Sequence, residues 1–347
     1  MNRETASDDR EPGEMQGTRL ETTRRGFLAG TAATTVAACL PRAWAAPAPR
    51  KAQIAITFDL EMSRHYPERG IMEWDFRKGD LDQPTKDYAV AAADIVRDLG
   101  GIIHFFCVGR VLEQPDVEWL KHLSATGHPI GNHTYDHVYV LAKDAVGTQF
   151  RFQRSPWLVE GRSVEEVIEE NVRLTTIGLK DRCGIETAGF RTPGGFSTAL
   201  DGREDIQELL LAQGFDWVSS KYPSHKAGEP MVDPGPDVFA DIIRAQAEAQ
   251  PYVYPTGLIE VPMSPISDVG AFRTNYWKRR FFLQAIREAI DWAIETGSTY
   301  DFLCHPSCML VEDPDFEVVR QICEQVDRAG DRAEIVALGA MADRVRH

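Results

Sequence analysis

A basic surplus is missing from this chain. Its 38 lysines and arginines are outnumbered by 53 aspartates and glutamates, a net charge of −15 over 347 residues. A groove for nucleic acid needs a basic face, so that class of partner is set aside. The same surface repels polyanions and suits a neutral substrate, or one that becomes cationic on reaction. Long hydrophobic runs are also missing: the apolar stretch Phe27–Leu40 is too short to span a bilayer in the usual way. Cysteine is scarce, with six in all and no Cys-x-x-Cys spacing to suggest a structural zinc site. No internal repeat or low-complexity run breaks the chain. What remains, 43% hydrophobic and 26% charged residues, is an ordinary globular composition, enough for one large domain or two modest ones.

The N-terminus has the layout of an export leader. Arg24-Arg25-Gly26-Phe27-Leu28 opens it in the twin-arginine form, the short apolar stretch follows, and Ala43-Trp44-Ala45 offers a cleavage site. We therefore expect a signal peptide over residues 1–45, a Pro-rich linker over 46–51 and a mature domain over 52–347. The expected partner during export is the twin-arginine translocation machinery, and the expected destination is the periplasm or the exterior. Val36-Ala37-Ala38-Cys39 also has the form of a lipoprotein box, which would instead anchor the chain through Cys39. The leader's acids and bases cancel, so the mature chain keeps the full negative charge. Without Cys39, five cysteines remain, an odd number that cannot all pair within one chain.

From Ala52 onward, short apolar runs alternate with longer amphipathic ones. Strands are expected at 52–58, 102–106, 129–132, 187–190, 216–219, 258–261, 300–304 and 334–337. Helices are expected between them, at 85–99, 116–126, 164–177, 205–213, 238–249, 277–295 and 316–329. Such alternation points to an α/β fold, a distorted (β/α) barrel with seven or eight parallel strands. Two loops are long, 61–84 and 138–162, and both follow strand C-terminal ends, where barrel enzymes place their sites.

Candidate chemistry gathers at those ends. Asp59 and Glu61 are two apart at the close of the first strand and so point to one face. His133 and His137, in Gly131-Asn132-His133-Thr134-Tyr135-Asp136-His137, are four apart and would share a face if the segment turns helically. Two histidines and a carboxylate from Asp59 or Glu61 make a three-ligand set for a divalent cation with a position left for water. Arg191, in Arg-Thr-Pro-Gly-Gly, can hold a carboxylate bidentately. His305, in Leu303-Cys304-His305-Pro306, can donate a proton to a leaving nitrogen.

An acidic strand end, His-Thr-x-x-His, Arg-x-Pro-x-Gly and Leu-x-His occur in that order, each after an expected strand. The arrangement resembles the polysaccharide deacetylase family, the NodB-homology or carbohydrate esterase family 4 group, over most of the chain from Ala52 onward. The resemblance implies a NodB-like barrel, the glycoside hydrolase/deacetylase fold, and metal-dependent hydrolysis of an acetamido group. It implies His133 and His137 as metal histidines, Asp59 as catalytic base, Arg191 as the residue orienting the base, His305 as general acid and Leu303 as a wall of the acetyl pocket. Glu61 is the expected third ligand of one divalent ion, zinc first, although Asp59 and Glu61 can exchange roles. Trp217 and Tyr135 are counted with Leu303 as substrate-binding.

The chain also departs from the family pattern. The family's usual second aspartate falls on Leu60, Pro306 follows His305 where aspartate is more usual, and Val218 stands where an aspartate is common. His-Pro also occurs in the branch of the superfamily that opens small amides and cyclic imides. The expected activity is hydrolysis of a non-peptide carbon–nitrogen bond, with de-N-acetylation of a polysaccharide or oligosaccharide foremost. A hydrolase of small linear or cyclic amides and an inactive carbohydrate-binding barrel are the alternatives.

Overall fold

The computed structural model describes residues 50–346. The leader, its cleavage site, Cys39 and residues 46–49 of the linker lie outside the described residues. The described strands are β1 (Ala52–Leu60), β2 (His104–Cys107), β3 (Ile130–Asn132), β4 (Phe190–Phe196), β5 (Trp217–Lys221), β6 (Tyr252–Val253), β7 (Ile259–Glu260), β8 (Thr299–Cys304) and β9 (Ala333–Ile335). They form one curled sheet in the order β6-β7-β5-β4-β3-β2-β1-β8, with β9 also pairing to β1. Every pairing is parallel except β6 with β7. The sheet is therefore a half-barrel whose eight parallel-paired strands agree with the expected seven or eight, with the two-residue β6 added as an antiparallel edge. Tyr252–Val253, only two residues long, is too short for a periodic signal to reveal. Past β7 the chain partly closes the curl: Met263 N donates to Lys221 O at 2.9 Å and Ser264 N to Asp301 O at 3.2 Å.

Helices α1 (Gln83–Asp98), α2 (Glu118–Ala125), α3 (Phe150–Arg154), α4 (Val164–Gly178), α5 (Glu204–Ala212), α6 (Pro236–Gln246), α7 (Arg279–Thr296), α8 (Pro306–Glu312), α9 (Glu317–Ala329) and α10 (Leu338–Asp343) connect and cover the strands. None is long and apolar enough to cross a membrane. Their ends follow local chemistry. Asp82 caps α1 by accepting from Thr85 N at 3.0 Å, and Ser163 with Glu166 forms a reciprocal capping box on α4. Of the two long loops, 138–162 is the more structured, since it contains α3 and flanking 3-10 turns.

Strand β1 shows how the sheet builds a site. It is buried at every position but Gln53, as a central parallel strand should be. Ile54, Ile56, Phe58 and Leu60 face outward into the main core with Ala89, Ala92 and Val96 of α1, Ala289 of α7 and Ile322 of α9. The intervening residues face the curl's interior. There Ala55 joins Phe106, Trp217, Ile259, Val261, Leu338 and Met341 in an apolar plug at the strands' N-terminal end. Leu60, where the family pattern places an acid, is thus a core residue.

Candidate active site

Above the plug, the inward residues turn polar. Arg191, fully buried on β4, is the hub. Its Nη1 donates to Thr57 Oγ1 at 2.8 Å and to Asp59 Oδ1 at 3.0 Å, its Nε donates to Ser219 Oγ at 3.2 Å, and its Nη2 pairs with Asp301 Oδ2. Phe106 from the plug lies under the guanidinium, 4.4 Å from its centre to the ring centroid. Arg191 lies within β4 rather than after a strand, as had been expected. The ladder shifts register between Arg191 and Phe196, the stretch that holds Pro193 with no N–H to donate.

Asp59 and Glu61 reach the same cavity, as their spacing required. His133 and His137 join them, but not on a helix. Residues 133–137 form a tight turn, with Thr134 at φ 58 and His137 at φ 59. Asn132 Oδ1 accepts from Thr134 N at 2.8 Å and Thr134 Oγ1 from Val138 N at 2.9 Å, so side chains hold the turn where a helix would use backbone bonds. One nitrogen of each ring and one Glu61 oxygen lie within 4.8 Å of one another.

The donor set fits a divalent cation. His133 Nδ1 sits 3.0 Å from Arg191 O, which fixes the proton there and turns the Nε2 lone pair into the cavity. Burial pushes the His133 ring down to a pKa of about 4, so it stays neutral, as a ligand must. Glu61 Oε2 is buried without a hydrogen-bond partner, although His137 Nε2 is only 2.6 Å away. Burial pushes the Glu61 carboxyl up, but His137 and Lys78 beside it, with a hydrogen bond from His305, hold it well below the usual carboxylate range. Asp59, with one oxygen on Arg191, has its other 3.8 Å from His133 Nε2, as near as Glu61 Oε2 at 3.9 Å.

His305 stands opposite. Its Nδ1 is 2.9 Å from Asp268 Oδ1, its backbone N–H donates to Asp268 Oδ2 at 2.8 Å, and its Nε2 points to Glu61 Oε1 at 3.4 Å. Burial alone would lower the ring's pKa. Asp268, and behind it Glu61, overcome this and raise it to about 10, so the ring carries a proton at neutral pH. The carboxylate missing at Val218 is therefore supplied by Asp268. Val218 packs into a core with Phe190 and Phe215.

Asp59, Glu61, His133, His137 and His305 line a cleft of about 330 Å³ whose apolar side is Leu303, Met263 and Val269. A second cavity of about 390 Å³ shares Lys78, His137 and Gly194 with it and is walled by Tyr139, Phe150 and Gln153 of the 138–162 loop.

Two expected substrate contacts are elsewhere. Trp217 is the first residue of β5, hence at the opposite end of the strands from the cleft. It stands edge-on to His104 and Phe106, and a Cβ on Gly189, at φ +88, would meet its ring at 1.9 Å. Tyr135 turns away, and its hydroxyl donates to Glu113 at 2.8 Å. Asp268, Asp301 and Lys78 were missed. Asp301 carried a readable signal: it interrupts an apolar strand two residues before Leu303 and four before His305, on the same face. Asp268 and Lys78 lie in irregular segments with no period to place them.

Residues 46–208 match the polysaccharide deacetylase family model, a stretch that contains Asp59, Glu61, His133, His137 and Arg191. The resemblance read from the motifs is to this family. The match is a likeness to that family over just under half of the chain. Its fold is shared with a putative polysaccharide deacetylase from Mycobacterium smegmatis, at a TM-score of 0.57 and 16% identity over 87% of this chain and 92% of that one. It is shared also with Puue allantoinase, at 0.56 and 14% over 86% and 91%. A probable polysaccharide deacetylase from Pseudomonas aeruginosa PAO1 follows at 0.54 and 14%, over 84% and 89%. No curated protein matches the chain in sequence.

Proposed function

We propose that the chain removes an N-acetyl group from an amino sugar within a polysaccharide or oligosaccharide. The observation that carries this is the convergence on one cleft of a three-donor set, a carboxylate held by a buried arginine and a protonated histidine held by a buried aspartate. A divalent cation, zinc by its tolerance of this donor set, would be held by Glu61, His133 and His137 and would supply Lewis-acid polarisation of the amide carbonyl and of a water. Asp59, kept in place by Arg191, accepts the attacking water's proton. His305 delivers its Nε2 proton to the departing nitrogen while Asp268 steadies the ring. Leu303 and Met263 face the acyl methyl. The adjoining cavity with Tyr139 and Phe150 gives a sugar chain room to continue past the reacting residue.

A small-amide hydrolase is the second reading, favoured by the His305-Pro306 pair. Acetate or ammonia release from N-acetylated oligosaccharides and from small linear and cyclic amides, with and without added metal, separates the two. Acetate from oligosaccharides alone supports ours, and turnover of small amides alone overturns it. Elemental analysis checks the donor set: about one divalent ion per chain is expected, and a His133→Ala variant with full occupancy would refute it. For the leader we propose twin-arginine export to the periplasm, so replacing Arg24 and Arg25 by Lys should leave precursor in the cytoplasm.

A further inference from the structure

The cleft's charged side chains are matched within the protein, with one exception. Asp59 is paired with Arg191 at 3.0 Å, and Glu61 with Lys78 at 2.9 Å. Arg64 lines the same cleft, yet it has no carboxylate partner among the described residues. Among the described residues its only hydrogen bond runs from Nη2 to Thr274 Oγ1 at 2.7 Å, and its Nε is buried with no hydrogen-bond partner there. In a chain with net charge −15, a partly buried guanidinium left without an acid needs a reason.

The surroundings position this group firmly. Ser63 N, next to Arg64, donates to Ser307 Oγ at 2.9 Å, and Ser307 Oγ is 3.0 Å from Ser63 Oγ, so the segment is tied to the start of α8 just after His305. Thr274 belongs to the helical turn Val269–Thr274, which begins one residue after Asp268. Arg64 therefore bridges the β1 loop to the segment that carries the partner of His305. Its hydrogen bond to Thr274 ties it to the segment that runs on from Asp268, the partner of His305, and its assignment to the side where the amine would leave rests on that tie.

We infer that Arg64 is a substrate-binding residue that receives a carboxylate borne on the amine side of the scissile amide. This rests on the amide-hydrolase reading above and narrows its substrate class to acidic amides. The guanidinium's free N–H groups offer a carboxylate charge-assisted bonds, and the cleft supplies no competing anion that is not already paired. Two sources carry this chemistry: an acidic amino sugar, or a small N-acyl amino acid.

Equilibrium binding of the deacetylated products tests it without requiring turnover. The ligands are an amino-sugar uronic acid and its primary amide, and an amino acid and its primary amide, each titrated calorimetrically into full-length protein. At least one acid should bind about 10-fold or more tightly than its own amide, as expected for a hydrogen bond to a charged group. Which pair shows the preference identifies the source. Arg64→Met should erase the preference by weakening the acid far more than the amide, and Arg64→Lys should retain part of it. The inference is overturned if neither acid is preferred, if Arg64→Met keeps the preference, or if Arg64→Met weakens acid and amide alike, the mark of a structural role. Failure to release acetate from any N-acetylated substrate would instead count against the proposed reaction, and the binding comparison would still decide the role of Arg64.

Discussion

The two ends of the curled sheet are made from the same strands and differ by steps of two residues. Near the N-terminal end of the strands, Ala55, Phe106, Trp217 and Ile259 close the interior with apolar surface. One inward position further, Thr57 and Ser219 hydrogen-bond Arg191, and one beyond that Asp59 accepts from the same guanidinium. A strand's period of two lets one face carry both, an insulating floor and then a polar site. The floor has an electrostatic consequence. It keeps water from beneath Arg191, so the Asp59–Arg191–Asp301 network sits where charge interactions are strong and unpaired charge is costly. Burial accordingly pushes the Asp301 carboxyl up to about 6 despite Arg191 beside it.

If the upper end is where chemistry occurs, its acids should matter far more to turnover than to folding. Asp59→Asn should keep metal and fold and lose about 100- to 10,000-fold in kcat, because an amide cannot take the water's proton. Glu61→Gln should first lose metal affinity, with activity partly restored by excess metal. Rates and metal titrations on both variants check this. If Asp59→Asn sheds the metal and Glu61→Gln keeps it, the two carboxylates have exchanged roles.

The lower end should respond in the opposite way. Trp217→Ala removes a large ring that is 5% exposed and should cost about 3–5 kcal/mol of stability by leaving a cavity. At temperatures where the variant stays folded, its kcat should fall far less than that of Asp59→Asn. Denaturant unfolding with parallel rate measurements tests the contrast. A variant of normal stability but abolished turnover would return Trp217 to the substrate site, where the motif reading had put it.

A smaller effect belongs to Asp268, which touches no acyl group but holds His305. Asp268→Asn removes the charge that raises the His305 pKa, so the alkaline limb of the pH–rate profile should move to lower pH. Turnover near neutrality should fall on the order of 10- to 100-fold. An unmoved alkaline limb would show that Asp268 only packs the loop.

These contrasts explain which parts of the site were legible in the sequence. Asp59, Glu61, Leu303 and His305 follow from strand ends and their period. His133 and His137 were found by spacing, although a side-chain-held turn, not a helix, unites them. Arg191 was found by its motif. Asp268 and Lys78 sit in loops, where neither period constrains position, and their contacts with His305 and Glu61 span 37 and 17 residues. Trp217 was misplaced because a motif gives a residue's neighbours in sequence but not the end of the strand it occupies. The fold's alternation was readable for the same reason as Asp59, and β6 was not, being too short to show a period.

The smallest effect sharpens the contrast at the lower end, where a titratable group is kept uncharged. His104 lies flat on Phe106, 4.7 Å between ring centroids. Its Nε2 is 2.7 Å from Ala188 O, and its Nδ1 accepts from Leu338 N at 3.3 Å. Both nitrogens are thus committed to the neutral ring, and a second proton would point at an N–H donor. Burial, the main cause, lowers its pKa from 6.5 to about 3. For a histidine depressed on folding, the unfolded chain takes up the proton first. The stability this neutral ring contributes is therefore intact above pH 6.5 and is lost as pH falls from there toward 3. The loss approaches about 1.4 kcal/mol per pH unit within that window, or roughly 2 kcal/mol between pH 7.5 and 5. His104→Gln, which cannot titrate, should be less stable than wild type at pH 7.5 yet lose less on acidification. Comparing the two unfolding free energies at pH 7.5 and 5 cancels the contribution of His133 and the other shared groups. Parallel pH dependences would mean that His104 titrates in the fold as it does in the unfolded chain, and that the floor beneath Arg191 is wetter than its packing implies.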